Sequence, residues 1–168
     1  MSGTSLDGLD IACCRIDGSG KETKVNLLEY CTLPYPATFQ NNIRRMISSP
    51  HTSLMEITLM NLHIPQVQAK LINTALENWK MDKENIDIIA SHGQAVSHAP
   101  ISLHQQKEMP NATLQLGDGD HIATATGIIT ISDFRQKHVA HGGEGAPLVS
   151  YGDFLLFRNA EKPRILLN

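Results

Sequence analysis

The sequence predicts an α/β fold in which a mixed sheet is flanked by helices. Short apolar runs typical of buried strands are combined with one long stretch of helical periodicity. Polar segments, two of them containing glycine, follow three of the short runs. Because ligands of open α/β sheets gather where strands end, these three polar exits predict a single crevice.

The N-terminal third is predicted to form a β-hairpin and a short helix. Leu9 to Ile16 is apolar and β-friendly, and Val25 to Leu33 is a second run of the same kind. Between them, residues 17–20 read Asp-Gly-Ser-Gly, a strong turn signal. Phe39 to Ile47 then predicts a helix that ends near the Ser-Ser-Pro sequence at 48–50.

A long amphipathic stripe follows. Thr52 or Ser53 can cap a helix whose apolar residues recur at three- or four-residue spacing as far as Trp79. Pro65 lies inside the stripe and predicts either a kink or two helices in series. We interpret the stripe as core packing.

Three buried strands are predicted in the second half of the chain, each with a polar exit. Two short helices are also expected. One, at His121 to Thr126, can be capped by Asp118 or Asp120, and the other covers Val149 to Phe157. Pro163 to Asn168 is typical of a strand that is beginning. The three strands, with their exits, are Ile86 to Ala90 with Ser91–Gln94, Ala112 to Leu116 with Gly117–Asp120, and Ile128 to Ile131 with Ser132–Arg135.

Composition narrows the function classes. The chain has 168 residues, enough for one domain or one lobe, and only 5% aromatic residues, which leaves few stacking platforms for bases. A net charge of -3 gives no basic surface for nucleic acid. No apolar run approaches the roughly 18 residues of a membrane helix. The odd cysteine count, with Cys13 and Cys14 adjacent, favours a reducing compartment, so we expect a cytoplasmic protein without nucleic-acid or membrane partners.

Gly3 to Asp10, here called the phosphate loop, combines glycines, hydroxyls and carboxylates. Glycines let backbone N–H groups approach a phosphate, hydroxyls add donors, and a carboxylate can hold a metal. No Gly-Lys-Ser/Thr sequence follows, so this is not the P-loop signature. A phosphate-binding loop and a Ser/Asp-rich surface turn both fit the spacing.

His92, Gly93 and Gln94 stand at a strand exit, where an imidazole and an amide suit the orientation of a hydroxylated ligand. A hydrogen-bonded structural histidine fits equally well. A metal pair with His98 would need a helix and a third ligand, and Gly93 argues against the helix.

Asp133 is the sharpest catalytic candidate. A carboxylate that ends a buried strand beside Phe134 is expected to be partly desolvated, which suits it to take a proton. The alternative is a strand-ending salt bridge to Arg135, which can also bind an anionic substrate group. The segment Gly142 to Gly145, here called the glycine loop, fits an anion- or sugar-binding turn, and His138 and His141 are expected to be solvated loop residues.

Two kinds of hydrolase are further alternatives. A Ser/His/Asp hydrolase lacks its Gly-x-Ser-x-Gly elbow here. A small metal-dependent hydrolase would use Asp133, His92 and Asp118.

Four ordered motifs resemble the anhydro-N-acetylmuramic acid kinase family: MSGTSLDGLDIA, SHGQAVSH, TLQLGDGDHIATATGI and ISDFRQKHVAHGGEGAPLV. They span residues 1 to about 150. The resemblance implies the two-lobed fold of sugar kinases, actin and Hsp70 (ribonuclease H-like). Residues 1–168 would form its N-terminal lobe, with the C-terminal nucleotide-binding lobe absent.

The resemblance also implies a reaction of bacterial peptidoglycan recycling. ATP and Mg²⁺ would serve the conversion of 1,6-anhydro-N-acetylmuramic acid to N-acetylmuramic acid 6-phosphate, with water attacking the anomeric carbon while O6 takes the γ-phosphoryl group. Such chemistry is mainly positioning and charge stabilisation. The fragment is expected to be inactive alone, and the full-length protein is expected to be a homodimer. The alternative function is that of a non-catalytic sugar- or partner-binding remnant of a sugar-kinase fold.

Roles for individual residues follow from the same resemblance. Asp133 matches the catalytic base, and Asp7 is the expected magnesium contact. The positions matched to the family's nucleotide-phosphate contacts are Gly3, Thr4, Ser5, Leu6, Asp7, Gly8, Leu9 and Asp10. Those matched to its sugar contacts are His92, Gly93, Gln94, Arg135, Gly142 and Gly143.

Overall fold

The computed structural model describes residues 2–3, 5–49, 51–159 and 161–165. Their helices and strands follow the mixed α/β order expected from the sequence. In chain order these are β1 (Gly8–Asp17), β2 (Lys24–Pro34), α1 (Ala37–Ser48), α2 (Leu54–Trp79), β3 (Ile89–Ala90), β4 (Gln94–Ala99), α3 (Ile101–His104), β5 (Ala112–Leu116), α4 (Gly119–Thr126), β6 (Thr130–Ile131), α5 (Phe134–Ala140) and α6 (Ser150–Phe157).

Three strand pairs make up the described sheet structure. β1 and β2 form the predicted antiparallel hairpin, with a register shift between Cys13 and Cys14. β4 pairs antiparallel with β5, and β3 pairs in parallel with β6. Single bridges from Ser2 to Leu9 and to Gln94 link the hairpin to the β4–β5 pair.

Helix α2 is continuous through Pro65, so the prediction of two helices in series is wrong. Ser53 Oγ accepts from Glu56 N at 3.1 Å, which caps the helix as the sequence suggested. A proline inside a helix removes one backbone hydrogen bond. Burial of Pro65 and of Ile64 beside it supplies packing that holds this turn of the helix together.

The main core lies between α1, α2 and the strands beside them. The chain fills it with side chains from both helices, from β1 and β5, from the turn ahead of β1 and from the link between β2 and α1. The buried members are Leu6, Leu9, Tyr35, Phe39, Ile43, Met46, Met60, Ile64 and Leu116. Of the three predicted exits, the one after β5 is directly attached to this core, through Leu116.

Several predicted boundaries were wrong. β3 and β6 are two-residue strands, shorter than the predicted runs at 86–90 and 128–131, and Ile129 and Ile131 are exposed. Strand β4 and helix α5 were not predicted. No strand forms at residues 161–165, and residues 166–168 of the predicted last strand lie outside the described residues. Within the described ranges, no helix has both the length and the apolar character needed to cross a membrane.

Candidate functional site

The parallel pair β3–β6 brings two of the predicted polar exits side by side. Ser91 N extends the ladder by donating to Ile131 O at 2.8 Å. His92 and Asp133 therefore follow the carboxyl ends of two adjacent parallel strands, the edge of a sheet at which ligands usually bind.

Asp133 occupies the N-cap position of α5 with a left-handed backbone, φ 60° and ψ 34°. This conformation costs on the order of 1 kcal/mol for most residues, and Asp tolerates it better than most. The side chain is exposed, so the partial burial expected from the sequence is not observed. Its carboxylate accepts no capping bond from the described residues of α5. Water can therefore reach the carboxylate at the end of β6.

His92 is held by Arg135, whose Nε donates to His92 Nε2 at 2.8 Å. A guanidinium has only donors, so Nε2 must accept and the imidazole proton lies on Nδ1, 3.3 Å from Gly93 O. Burial, and then the Arg135 charge, lower the pKa of His92 below its ordinary value. His92 is thus a neutral imidazole of defined tautomer.

Arg135 also holds the glycine loop, because its Nη1 donates to Gly145 O at 2.9 Å. Gly145 is buried with φ 79°, and a Cβ there would lie 2.8 Å from Thr113 Cγ2, so only glycine fits. The salt bridge considered between Arg135 and Asp133 is not formed among the described residues. The guanidinium instead bonds to His92 and Gly145.

His138 and His141 were expected to be loop residues, but neither lies in a loop. His138 is in the last turn of α5, and His141 follows as its C-cap. Both are exposed, yet His138 Nδ1 accepts from Gly145 N at 3.2 Å. His138 therefore contacts the glycine loop directly.

The structure divides the phosphate loop into a turn and the start of a strand. Residues 8–10 belong to β1, and Leu9 is buried in the core. Leu6 is 2% exposed with a left-handed φ of 57°, and its N donates to Gly3 O at 3.3 Å. This buried leucine anchors the turn. Thr4 lies outside the described residues, and the exposed members are Gly3, Ser5 and Asp7.

Asp7 presents an exposed carboxylate on this turn. Ser5 Oγ donates to Asp7 Oδ1, and this hydrogen bond has the largest effect in lowering the pKa of Asp7. The carboxylate is therefore ionised at neutral pH. Mg²⁺ is usually bound by one or two carboxylates together with phosphate oxygens and water. Asp10 is less suited, because Thr32 Oγ1 and Tyr30 OH donate to its Oδ1 at 2.6 and 3.1 Å.

Ser2 connects the phosphate loop to the exit that carries His92. It bridges Leu9 on one side and Gln94 on the other, and its Oγ donates to Gln94 Oε1. Gln94 is only 1% exposed, and its Nε2 donates to Ala95 O at 3.2 Å. Gln94 therefore ties the two segments together and does not line an open surface in this structure.

The third exit, Gly117–Asp120, has an architectural role. Asp118 Oδ1 accepts from Asp120 N at 2.9 Å and caps α4, as predicted. Asn61 Oδ1 of α2 accepts from Gly117 N at 2.9 Å. The exit also lies against the other two, as predicted, because a Cβ on Gly117 would be 3.3 Å from Gly93 Cα and one on Gly119 would be 2.7 Å from Ser132 Oγ.

Metal binding by histidine has no preformed site in the described ranges, where no three His, Cys, Asp or Glu side chains are grouped for a metal. The trio Asp133, His92 and Asp118 considered for a hydrolase is not such a group. His98 lies in β4 and not on a helix, so the helical pair with His92 is not formed.

Polar residues on β5 beside the glycine loop were missed in the sequence. Thr113 Oγ1 donates its one proton to Ser97 O at 3.1 Å, so it can only accept from Gln115 Nε2, 2.8 Å away. Gln115 Oε1 is buried and has no hydrogen-bond partner among the described residues. Gln136 Nε2 of α5 donates to Thr113 O at 3.0 Å. The alternation of polar residues along β5 was the available signal.

Comparison with known proteins agrees with these features. The family model described as anhydro-N-acetylmuramic acid kinase matches residues 1–168. The chain belongs to this family. The family is one of carbohydrate kinases with the sugar-kinase and actin-like fold, and the described α/β arrangement corresponds to its N-terminal part.

Individual relatives carry the same name. The chain is 49% identical to anhydro-N-acetylmuramic acid kinase from Pseudoalteromonas atlantica and 46% identical to that from Pseudoalteromonas translucida, over the whole chain and 42% of each relative. A Bacillus cereus relative is 37% identical over the whole chain and 43% of its own length. The chain thus spans less than half the length of the relatives it matches.

Proposed function

We propose that this chain supplies the sugar-binding side and the catalytic base of an ATP-dependent kinase that converts 1,6-anhydro-N-acetylmuramic acid to N-acetylmuramic acid 6-phosphate. The observation that carries the proposal is the parallel pair β3–β6, which sets His92 and Asp133 at adjacent strand ends. Family membership over residues 1–168 supplies the reaction class.

Asp133 is the proposed base. Its exposed carboxylate would take a proton from a water that attacks the anomeric carbon of the sugar. The bond from that carbon to O6 breaks, O6 accepts the γ-phosphoryl group, and ADP leaves. A left-handed backbone at Asp133 is the kind of strained conformation that is retained at functional sites.

Arg135 and His92 are proposed to bind the sugar. The guanidinium would pair with the carboxylate of the muramic acid lactyl group, and bonds to His92 and Gly145 orient it for that purpose. Gly142 N and Gly143 N bond to carbonyls of α5, so these glycines would allow close approach of the sugar and not donate to it. We propose that Gly93 borders the sugar and that Gln94 acts by holding Ser2.

The phosphate loop is proposed to face the nucleotide. Gly3, Ser5 and Asp7 present backbone and side-chain groups around the buried Leu6. Asp7 would hold Mg²⁺, which neutralises charge on the phosphates when it is bound. Thr4, outside the described residues, belongs to the same proposal.

We assign residues 1–168 to the N-terminal lobe of the two-lobed kinase and expect this chain alone to bind the sugar without turning it over. Exposed apolar side chains on α6 support a covering second lobe, among them Tyr151, Phe154 and Phe157. Free thiols at Cys13, Cys14 and Cys31 support a cytoplasmic location.

The test is a phosphorylation assay with the anhydro sugar and ATP in H₂¹⁸O, using the protein as encoded, that is, the two-lobed protein of which residues 1–168 are proposed to be the N-terminal lobe. We expect N-acetylmuramic acid 6-phosphate with the label on the sugar and not on the phosphate. N-acetylmuramic acid, which lacks the anhydro bridge, is the control substrate and is expected to be phosphorylated far more slowly. Sugar binding without turnover would instead support the non-catalytic alternative.

A further inference from the structure

His138 carries a hydrogen bond whose direction is fixed by chemistry. Its Nδ1 lies 3.2 Å from Gly145 N. A backbone N–H can only donate, so Nδ1 accepts and carries no proton in this arrangement. The neutral ring must then hold its proton on Nε2.

The ring of His138 also fills the space beneath the glycine loop. A Cβ on Gly143 would overlap with His138 Nε2, so backbone and ring lie in direct contact there. Backbone bonds close the start of the loop, with Gly142 N donating to Val139 O at 2.9 Å and Gly143 N to His138 O at 3.0 Å. Gly145 lies beyond their reach, and the His138 side chain extends the attachment to it.

Both backbone polar groups of Gly145, its N–H and its carbonyl, are hydrogen-bonded to side chains of α5. His138 accepts from its N–H, and Arg135 donates to its carbonyl at 2.9 Å. Residues three apart on a helix share a face, which explains how both side chains reach one glycine. Arg135 in turn donates to His92. The conformation of the glycine loop and the orientation of the Arg135 guanidinium therefore depend on each other through the two hydrogen bonds at Gly145.

We propose that His138 is a positioning residue for sugar binding. Its Nδ1 fixes the Gly145 amide, the fixed carbonyl of Gly145 orients Arg135, and Arg135 faces the anionic group of the sugar. His138 itself does not touch the sugar. The inference rests on the proposed function for its ligand, 1,6-anhydro-N-acetylmuramic acid, but the hydrogen bond at its origin does not.

Three variants separate the acceptor from the bulk of the ring. His138→Asn places Oδ1 close to the position of Nδ1 and keeps the acceptor. His138→Phe keeps the ring without an acceptor, and His138→Gln sets its amide near the position of Nε2. In this 168-residue chain, we expect Phe and Gln to weaken sugar affinity and speed Gly145 amide exchange by about fivefold to tenfold, and Asn to restore both.

Equal damage by Asn and Phe, or none by Phe, would overturn the proposal. Thermal melts of all variants identify any that fail to fold, and His138→Asn is compared with His138→Phe only if both are folded. If His138→Phe is unfolded, His138→Gln replaces it in the comparison. Nitrogen-15 NMR of the wild-type ring gives a separate readout: a proton on Nε2 is expected, and a proton on Nδ1 contradicts the bond. If wild-type chain does not bind the sugar while Gly145 exchange and the ring tautomer behave as stated, the ligand assignment fails and the local bond stands.

Discussion

Arg135 and His92 are joined by a hydrogen bond of 2.8 Å in which the guanidinium donates and the imidazole accepts. The bond requires a neutral His92, and the same charge that makes it also opposes protonation of the ring. Burial is the larger cause of the lowered pKa of His92, and the residue proposed to bind the sugar adds to it.

This relationship predicts a specific pH dependence of stability. Folding lowers the pKa of His92 below its ordinary value of 6.5. Below about pH 6.5, His92 is therefore protonated in the unfolded chain at pH values where it is still neutral in the folded chain. Stability contributed at this position is full above that value and is lost as the pH falls toward the lower folded pKa. Urea unfolding between about pH 7.5 and 5.5 should show a smaller loss for His92→Gln, whose Oε1 can still accept from Arg135. Parallel curves for wild type and variant would contradict the neutral assignment, and His51→Gln, at an exposed histidine outside the site, is the matched control.

Gly145 is expected to be harder to replace than Gly142 in the glycine loop. Gly145→Ala adds a Cβ 2.8 Å from Thr113 Cγ2 and a side chain at φ 79°, so we expect a loss of about 2–3 kcal/mol in the free energy of unfolding. Gly142→Ala has φ 86° with nothing within 4 Å of the added Cβ and should cost only about 1 kcal/mol. Urea titrations of the two variants isolate the clash from the backbone strain. Equal losses would show that the Thr113 contact is not tight.

Asp7 is predicted to determine the magnesium requirement. In the protein as encoded, Asp7→Asn should raise the Mg²⁺ concentration for half-maximal turnover by about tenfold or more, since a charge-assisted contact is lost. Asp87→Asn, which removes an exposed carboxylate outside the candidate site, is the control and should leave the titration unchanged. The measurement is a Mg²⁺ titration at fixed ATP. Identical titrations for wild type and Asp7→Asn would remove Asp7 from the metal site.

The parts of the fold with strong local signals were predictable from the sequence. The turn at residues 17–20 and the long apolar stripe identified the hairpin and α2, and Asp118 was correctly expected to cap α4. Strand β4 was missed because its stability comes from distant pairing with β5 and its sequence mixes polar and apolar residues. Helix α5 was missed because it has no buried residue, and therefore no apolar stripe, and begins at a left-handed Asp133.

The candidate site was predictable in its location and less so in its contacts. Strand exits at His92 and Asp133 were expected to meet, and β3–β6 pairing places them together. The Arg135–His92 bond depends on which of several acceptors lies within reach of the guanidinium, and spacing along the chain does not contain that information. The same holds for His138, whose contact with Gly145 needs both α5 and the glycine loop in place.

The central claim is that Asp133 is the base at the end of β6, and Asp133→Asn tests it most directly. Asparagine is nearly isosteric and also tolerates the left-handed backbone at this position, so the variant removes the carboxylate with little other change. With the anhydro sugar and ATP, the protein as encoded should lose at least about 100-fold in turnover while its sugar affinity stays within about threefold. Turnover close to that of the wild type would contradict the account.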